Sequence, residues 1–383
     1  MTRIPTNFGF TEEHEMLRQE ARRLFAERCP ISEVRRLADD ALGFDPGLWK
    51  ELGSLGWAGL ATGEQYGGAG LGFLPLALLL EEMGRRLVPS PYLASLLASF
   101  AIDAGGSSTQ RARWLPEIAS GTRIGTLALY EPAGGFEAEN VRATAEPAEG
   151  GFVLRGQKRF VLAGASADCL VVPCREPSGE VSLFVVDLPA RGVTVQGEIG
   201  VDPTRRTARV ALDGVHVACE ARLDGSGAAA LERTHARGFV ALAAEMVGAA
   251  DAALVMTRDY AIARKQFGRQ IGFFQAVKHP IVDVMIGVEL ARNHVLGAAA
   301  AFDHTPHAAE IPARMAKALA SDVFATAVRK GVQLHGGYGF TIDCDMHLYF
   351  KRALWSRATL GDGPHHRRRL AAALLDRDAA VAV

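Results

Sequence analysis

The apolar repeat of this chain changes twice along its length, so a single type of secondary structure cannot account for it. In residues 1–122, Met16, Leu17, Leu24 and Phe25 recur at helical intervals, and Thr11 stands as an N-cap before Glu12 and Glu13. Leu48, Leu52 and Leu55 mark one face of a second helix over 47–55, and the glycine-dense EQYGGAGLG that follows is a loop. Over 123–232 the segments GGFVLRGQKRFVLAG, CLVVPC and VSLFVVDL are short, rich in Val and Phe, and bounded by Gly, Pro and Asp; they predict strands and hairpins of a small antiparallel barrel or sandwich. Over 233–383 the helical period returns. One stripe is Phe239, Leu242, Met246, Ala250, Leu254, Thr257 and Ala261; a second is Val284, Met285, Val288, Ala291, Val295 and Ala299; a third is Met315, Leu319, Val323 and Thr326. The expectation is an α+β multidomain protein: an N-terminal helical domain, a central β-domain and a C-terminal helical bundle whose Ala- and Gly-rich helices pack closely.

Composition narrows the partners. With 383 residues, 49% hydrophobic and 22% charged, the chain has an ordinary globular make-up and room for roughly two or three domains. A net charge of −1 offers no basic field for nucleic acid or an anionic membrane, and Arg367, Arg368 and Arg369 read as a solvated helix face. Five cysteines without a C-x-x-C pair argue against a zinc site or a disulfide framework and fit a reducing compartment. The longest apolar run, Leu74 to Leu80, contains Pro75 and is far too short to span a bilayer. A cytoplasmic location without a membrane is expected.

Two motifs exceed what local structure asks for. Arg264-Lys265-Gln266-Phe267-Gly268 ends the first long helix, where cations suit the C-terminus and Gly268 suits the C′ position. That leaves the Phe-Gly pair and the following Phe274-Gln275 unexplained, and a planar guanidinium at Arg264 is suited to a pyrophosphate. QLHGGYGF, residues 333–340, places Gly336 and Gly337 together where one glycine would end a helix. The pair is either a turn or a stretch of backbone that something large must approach closely.

RKQFG, FQAVKH and QLHGGYGFT, together with TEEHEMLR, WKELGSLGWAGL, EQYGGAGLG, YEPAGG and GQKRFVLAG, resemble the acyl-CoA dehydrogenase family over nearly the whole chain. The resemblance implies the family's fold, in which an N-terminal helical domain and a central β-domain precede a C-terminal four-helix bundle. It also implies FAD, with Arg264, Phe267, Gln333, Gly336 and Gly337 holding the pyrophosphate and adenosine of a neighbouring subunit's cofactor. Tyr130, Phe160 and Leu162 would then lie at the flavin, and Phe136 at the acyl-CoA. The implied chemistry is concerted: a carboxylate takes the α-proton of an acyl-CoA thioester while the β-hydrogen leaves as hydride to the flavin. Electrons would pass on to an electron-transferring flavoprotein.

The resemblance breaks where the chemistry would occur. The place of the family's catalytic Glu is held by Gly361, within Leu360-Gly361-Asp362-Gly363. A one-residue shift would bring in Asp362, although an Asp between two glycines is also an ordinary turn residue. The alternative location for a base, on the first long helix, falls at Gly238; Glu245 lies seven residues on, about 10 Å along the axis. The usual Ser at the acyl-CoA is Phe136, and the Trp and Thr flanking the flavin are Phe160 and Leu162. These departures leave three expectations: an active dehydrogenase as a homo-oligomer, a subunit without a base in a heteromer with a homologue, or a flavin oxidase or monooxygenase on the same fold.

Overall fold

The computed structural model describes residues 4–375 and divides into two compact units. The first gathers the described residues up to Arg35, residues Phe73–Val88 and the described residues from Phe239 on; the second holds Arg36–Gly72 and Pro89–Gly238.

The first unit is helical. Helices Glu12–Arg28, Phe73–Arg85, Gln275–His304 and Glu310–Leu334 accompany most of the 37-residue helix Gly227–Ala263, with Met346–Ala358 and Gly363–Leu375 following. Glycine sets the closest approach. A Cβ on Gly84 would lie 2.0 Å from the Glu245 carbonyl oxygen, and one on Gly248 would lie 1.8 Å from that of Glu81. The backbones of Phe73–Arg85 and Gly227–Ala263 therefore touch. Ion pairs tie Phe73–Arg85 to its neighbours: Arg85 pairs with Asp251 across this seam, Arg22 reaches Glu82 at 2.7 Å, Arg292 reaches Glu81 at 3.0 Å, and Arg85 also meets Glu82 at 3.0 Å within its own helix. Burial raises the Glu81 pKa, and Arg292 and Arg85 oppose that shift.

Among the described residues, Gly227–Ala263 alone is long and apolar enough to cross a membrane by length and composition, and 72% of its apolar stretch is buried inside the protein. The first predicted stripe holds, with Phe239, Leu242, Met246 and Ala250 buried. Two others need correction. Met285 lies on an exposed face rather than with buried Val284, Val288 and Ala291. In Glu310–Leu334 the buried face is Ala313, Ala316, Lys317, Ala320, Phe324 and Ala327, while Met315 is 39% exposed. Alanines supply most of that buried face, so a long apolar side chain such as Met315 does not mark it.

The second unit is built on one seven-stranded sheet. Its strands are β1 (Gly125–Leu127), β2 (Thr144–Ala148), β3 (Gly151–Leu162), β4 (Cys169–Arg175), β5 (Val181–Asp187), β6 (Val193–Glu198) and β7 (Thr207–Ala218). The order is β1-β4-β2-β3-β7-β6, with β5 on β4. The pairing is mixed rather than wholly antiparallel: β1 runs parallel to β4, and β2 meets β4 in parallel through Thr144 and Arg175. Leu154, Leu170, Val172, Phe184, Val186 and Val210 form its core. Helices Pro46–Ser54, Tyr92–Gly105 and Ser108–Ala119 complete the unit. The first starts as its sequence prescribes, with Pro46 at N1 and the Asp45 carboxylate accepting the Gly47 N–H at 2.8 Å.

Candidate functional site

In the helical unit the RKQFG segment is a hairpin and not a helix cap. The helix stops at Ala263, and Lys265–Gln266 pairs with Arg269–Gln270. Phe267 and Gly268 form the two-residue turn with φ of 54° and 77°, the two positive values such a turn requires. Gly268 therefore serves the hairpin. A Phe in this conformation costs of order 1 kcal/mol, yet its ring is 89% exposed. An edge contact with Phe274, at 6.0 Å, steadies it. The Arg264 carbonyl accepts the Ile271 N–H at 2.9 Å. Its guanidinium is exposed and makes no hydrogen bond or ion pair among the described residues.

The double glycine stands beside this hairpin's helix. Tyr260, one turn before Arg264, stacks on His335 with ring centres 4.4 Å apart and faces Tyr338 at 6.0 Å. His335 is buried and its Nδ1 lies 2.7 Å from the Gly331 carbonyl oxygen, which fixes the ring over the turn Gly336–Phe340. The three glycines of that turn differ. Gly339 is packed, since its Cβ would lie 2.4 Å from the Val332 carbonyl oxygen. Gly336 has φ of 62°. Gly337 has neither reason: its φ is ordinary, and no atom of the described residues lies within 4 Å of where its Cβ would be. Gln333 is exposed on the preceding turn of helix. Exposed amides, a carboxamide and an unpaired guanidinium make a surface that suits phosphate oxygens.

Position 361 is crowded instead. Gly361 has φ of 86°, and its carbonyl accepts from Lys317 Nζ at 2.7 Å. Lys317 is fully buried and also donates to Ser356 O and Ser321 Oγ, each at 3.2 Å. Burial lowers its pKa to about 7, with Asp362 opposing that shift. Asp362 caps helix Gly363–Leu375, its Oδ1 accepting the His365 N–H at 2.9 Å. That bond holds its carboxyl below the usual range, which weakens it as a proton acceptor. Buried His366 contacts the Leu360 carbonyl oxygen through Nε2 at 2.9 Å, and burial drives its pKa down to about 3.

In the sheet unit, Phe160 and Leu162 lie at the end of β3. The β3–β7 register slips between Lys158 and Val161, and Phe160 sits in this bulge with φ of 52° and 49% exposure. Glu198 fixes it, accepting the Phe160 N–H at 2.8 Å while pairing with Arg159, whose guanidinium lies 5.0 Å from the Phe160 ring centre. No sequence signal singles out Glu198, since a carboxylate at a strand end normally reads as solvated. The Leu162 carbonyl accepts from Thr126 Oγ1 at 2.6 Å, and its side chain helps line a cavity of about 250 Å³ with Phe44, Pro91, Ala94, Glu198 and Arg206. The Tyr130 carbonyl accepts the Arg159 N–H at 2.8 Å. Phe136 is buried, edge-on to Tyr130 at 6.5 Å and to His235 at 5.2 Å, so this side chain is packed inward.

Comparison with known proteins covers the whole of this arrangement. Three family models match, described as the acyl-CoA dehydrogenase N-terminal domain over residues 11–122, the middle domain over 126–215 and the C-terminal domain over 225–375. The chain is 34% identical over 360 residues to the acyl-CoA dehydrogenase IpdE2 of Mycobacterium tuberculosis, covering 94% of this chain and 96% of that protein. A solved Tcur3481-Tcur3483 steroid ACAD variant shares 33% identity at a TM-score of 0.86, covering 96% of this chain and 99% of that one. The ChsE4-ChsE5 complex from Mycobacterium tuberculosis shares 29% identity at 0.87, covering 95% and 98%.

Proposed function

The chain belongs to the acyl-CoA dehydrogenase family, and from that premise we propose that it binds FAD and serves the α,β-desaturation of an acyl-CoA thioester within an oligomer. The observation that carries this reading is Gly337, a glycine with ordinary backbone and empty space where a side chain would stand. Its neighbours Gly336 and Gln333 and the unpaired Arg264 would hold pyrophosphate oxygens, with the exposed Phe267 ring against the adenosine. Phe160 offers a flat apolar face to a ring system. Leu162 contributes no side-chain hydrogen bond. Bound FAD supplies the hydride acceptor that no amino-acid side chain offers.

The proton is a separate matter. Gly361 carries no side chain, and Asp362 is engaged as a helix cap with lowered basicity. This favours a finer reading, in which the chain is the subunit without a base and a homologous partner removes the α-proton. Two solved relatives carry paired protein names, Tcur3481-Tcur3483 and ChsE4-ChsE5. A surface suited to such a partner exists on helix Gln275–His304, where Val282, Met285, Ile286 and Leu290 are 45–54% exposed along one face. An electron-transferring flavoprotein is the proposed acceptor.

The test is the visible spectrum and native mass of the protein purified alone and with a co-expressed homologue. Near-stoichiometric flavin on an oligomer is expected in the paired preparation, and Arg264→Ala should weaken flavin retention at least about tenfold, the loss of one charge-assisted contact. An oligomer that holds no flavin in either preparation would refute the reading.

A further inference from the structure

We propose that the His365 ring occupies the volume a side chain at position 361 would need, so that this loop is shaped to exclude a base there. The inference deepens the reading of the chain as a subunit without a base and rests on the assignment of position 361 made above. A Cβ on Gly361 would lie 2.6 Å from His365 Cδ2 and 3.1 Å from His365 Cγ, with His366 Nε2 at 3.2 Å. A contact under 3.0 Å requires something to shift. Turning the ring about χ2 moves Cδ2 but leaves Cγ, the root of the imidazole, in a tight contact at 3.1 Å, so the side chain as a whole must also give by a few tenths of an ångström.

Both sides of the contact are tied to their surroundings. The backbone of His365 is tied to Asp362 Oδ1, and its ring meets His366 edge-on at 5.2 Å. His366 is held in turn by the Leu360 carbonyl and by Phe239, whose ring lies edge-on at 4.6 Å. On the far side, Lys317 Nζ anchors the Gly361 carbonyl at 2.7 Å. The loop is thus fastened at Leu360, Gly361 and Asp362, and His365 fills the space in front of it. Gly336 and Gly337 are the reverse case, with nothing among the described residues within 4 Å of either Cβ position. Position 361 has therefore been closed to side chains by a second residue, and restoring a carboxylate requires two changes.

The experiment compares thermal midpoints of the native oligomer, Gly361→Glu, His365→Ala and the double variant. Gly361→Glu should lower the midpoint by roughly 4 °C. Part of that fall reflects the positive φ and would persist in any background. The part due to His365 should disappear in the double variant, which is expected to melt above the sum of the two single effects. Gly361→Ala in the same two backgrounds reads the same coupling if the Glu variants do not fold. Additive shifts, or a Gly361→Glu protein as stable as the native one, would overturn the proposal. Dye reduction with short, long and branched acyl-CoA thioesters is then measured on flavin-loaded protein, where only the double variant should gain activity. Thermal coupling without dye reduction upholds the steric claim and refutes the assignment of 361 as the base position.

Discussion

Two glycine-bearing turns in the helical unit look alike in sequence and are opposites in structure. Gly336-Gly337 follows helix Glu310–Leu334 and faces empty space; Gly361 follows helix Met346–Ala358 and faces His365, His366 and the Lys317 anchor. At 361 the protein's own packing demands glycine. At 337 nothing among the described residues does, which leaves room for the ligand proposed above. Absence of a side chain is a folding requirement at 361 and, on the function proposed above, a binding surface at 337.

Three substitutions sharpen that contrast, in falling order of their effect on stability. The largest concerns the anchor. Lys317 titrates near 7 in the folded protein against 10.5 unfolded, a lowering caused by burial. Between those values the unfolded chain holds a proton that the folded one has released, so stability rises with pH across the window. It is lost as pH falls toward 7. Native protein should gain roughly 3 to 4 kcal/mol relative to Lys317→Met between pH 7 and 10, read from denaturant midpoints; parallel pH profiles would show that the amine is not the buried group described. Next, Phe267→Asn should stabilise the protein by about 1 kcal/mol, because Asn tolerates the left-handed turn that Phe strains. The same change should weaken flavin retention, and an unaltered flavin content would remove Phe267 from the site. The smallest stability effect is the most diagnostic. Gly337→Ala should add about 0.5 kcal/mol by restricting the unfolded chain while lowering flavin retention severalfold. Loss of stability there would mean that the chain itself needs this glycine.

Much of the fold could be read from the sequence because period is a backbone property. The stripe from Phe239 to Ala250 is buried, and the Val- and Phe-rich segments are strands. The third stripe failed for a physical reason. In an Ala-rich helix the closest packing uses Ala313, Ala316 and Ala320, so Met315 and Leu319, the more hydrophobic residues, do not mark the inner face. Lys317 was invisible for the converse reason: a lysine normally signals solvent, and only three convergent acceptors, two of them backbone carbonyls, make its burial tolerable. The hairpin at Phe267-Gly268 escaped because Phe is a poor residue for a left-handed turn, and the parallel β1–β4 pair because strand partners are not written in local pattern. The glycine motif was legible as an anomaly; the role of His365 was not, since it depends on where a non-existent Cβ would point.

Gly337 also says something about history. On the function proposed above, this glycine is held in place by a ligand and not by its own chain. Under laboratory selection for heat resistance alone, position 337 should be among the first to drift to alanine, while position 361 should stay glycine throughout. The order in which the two glycines are lost would then date the loss of ligand contact, independently of any assay for the reaction.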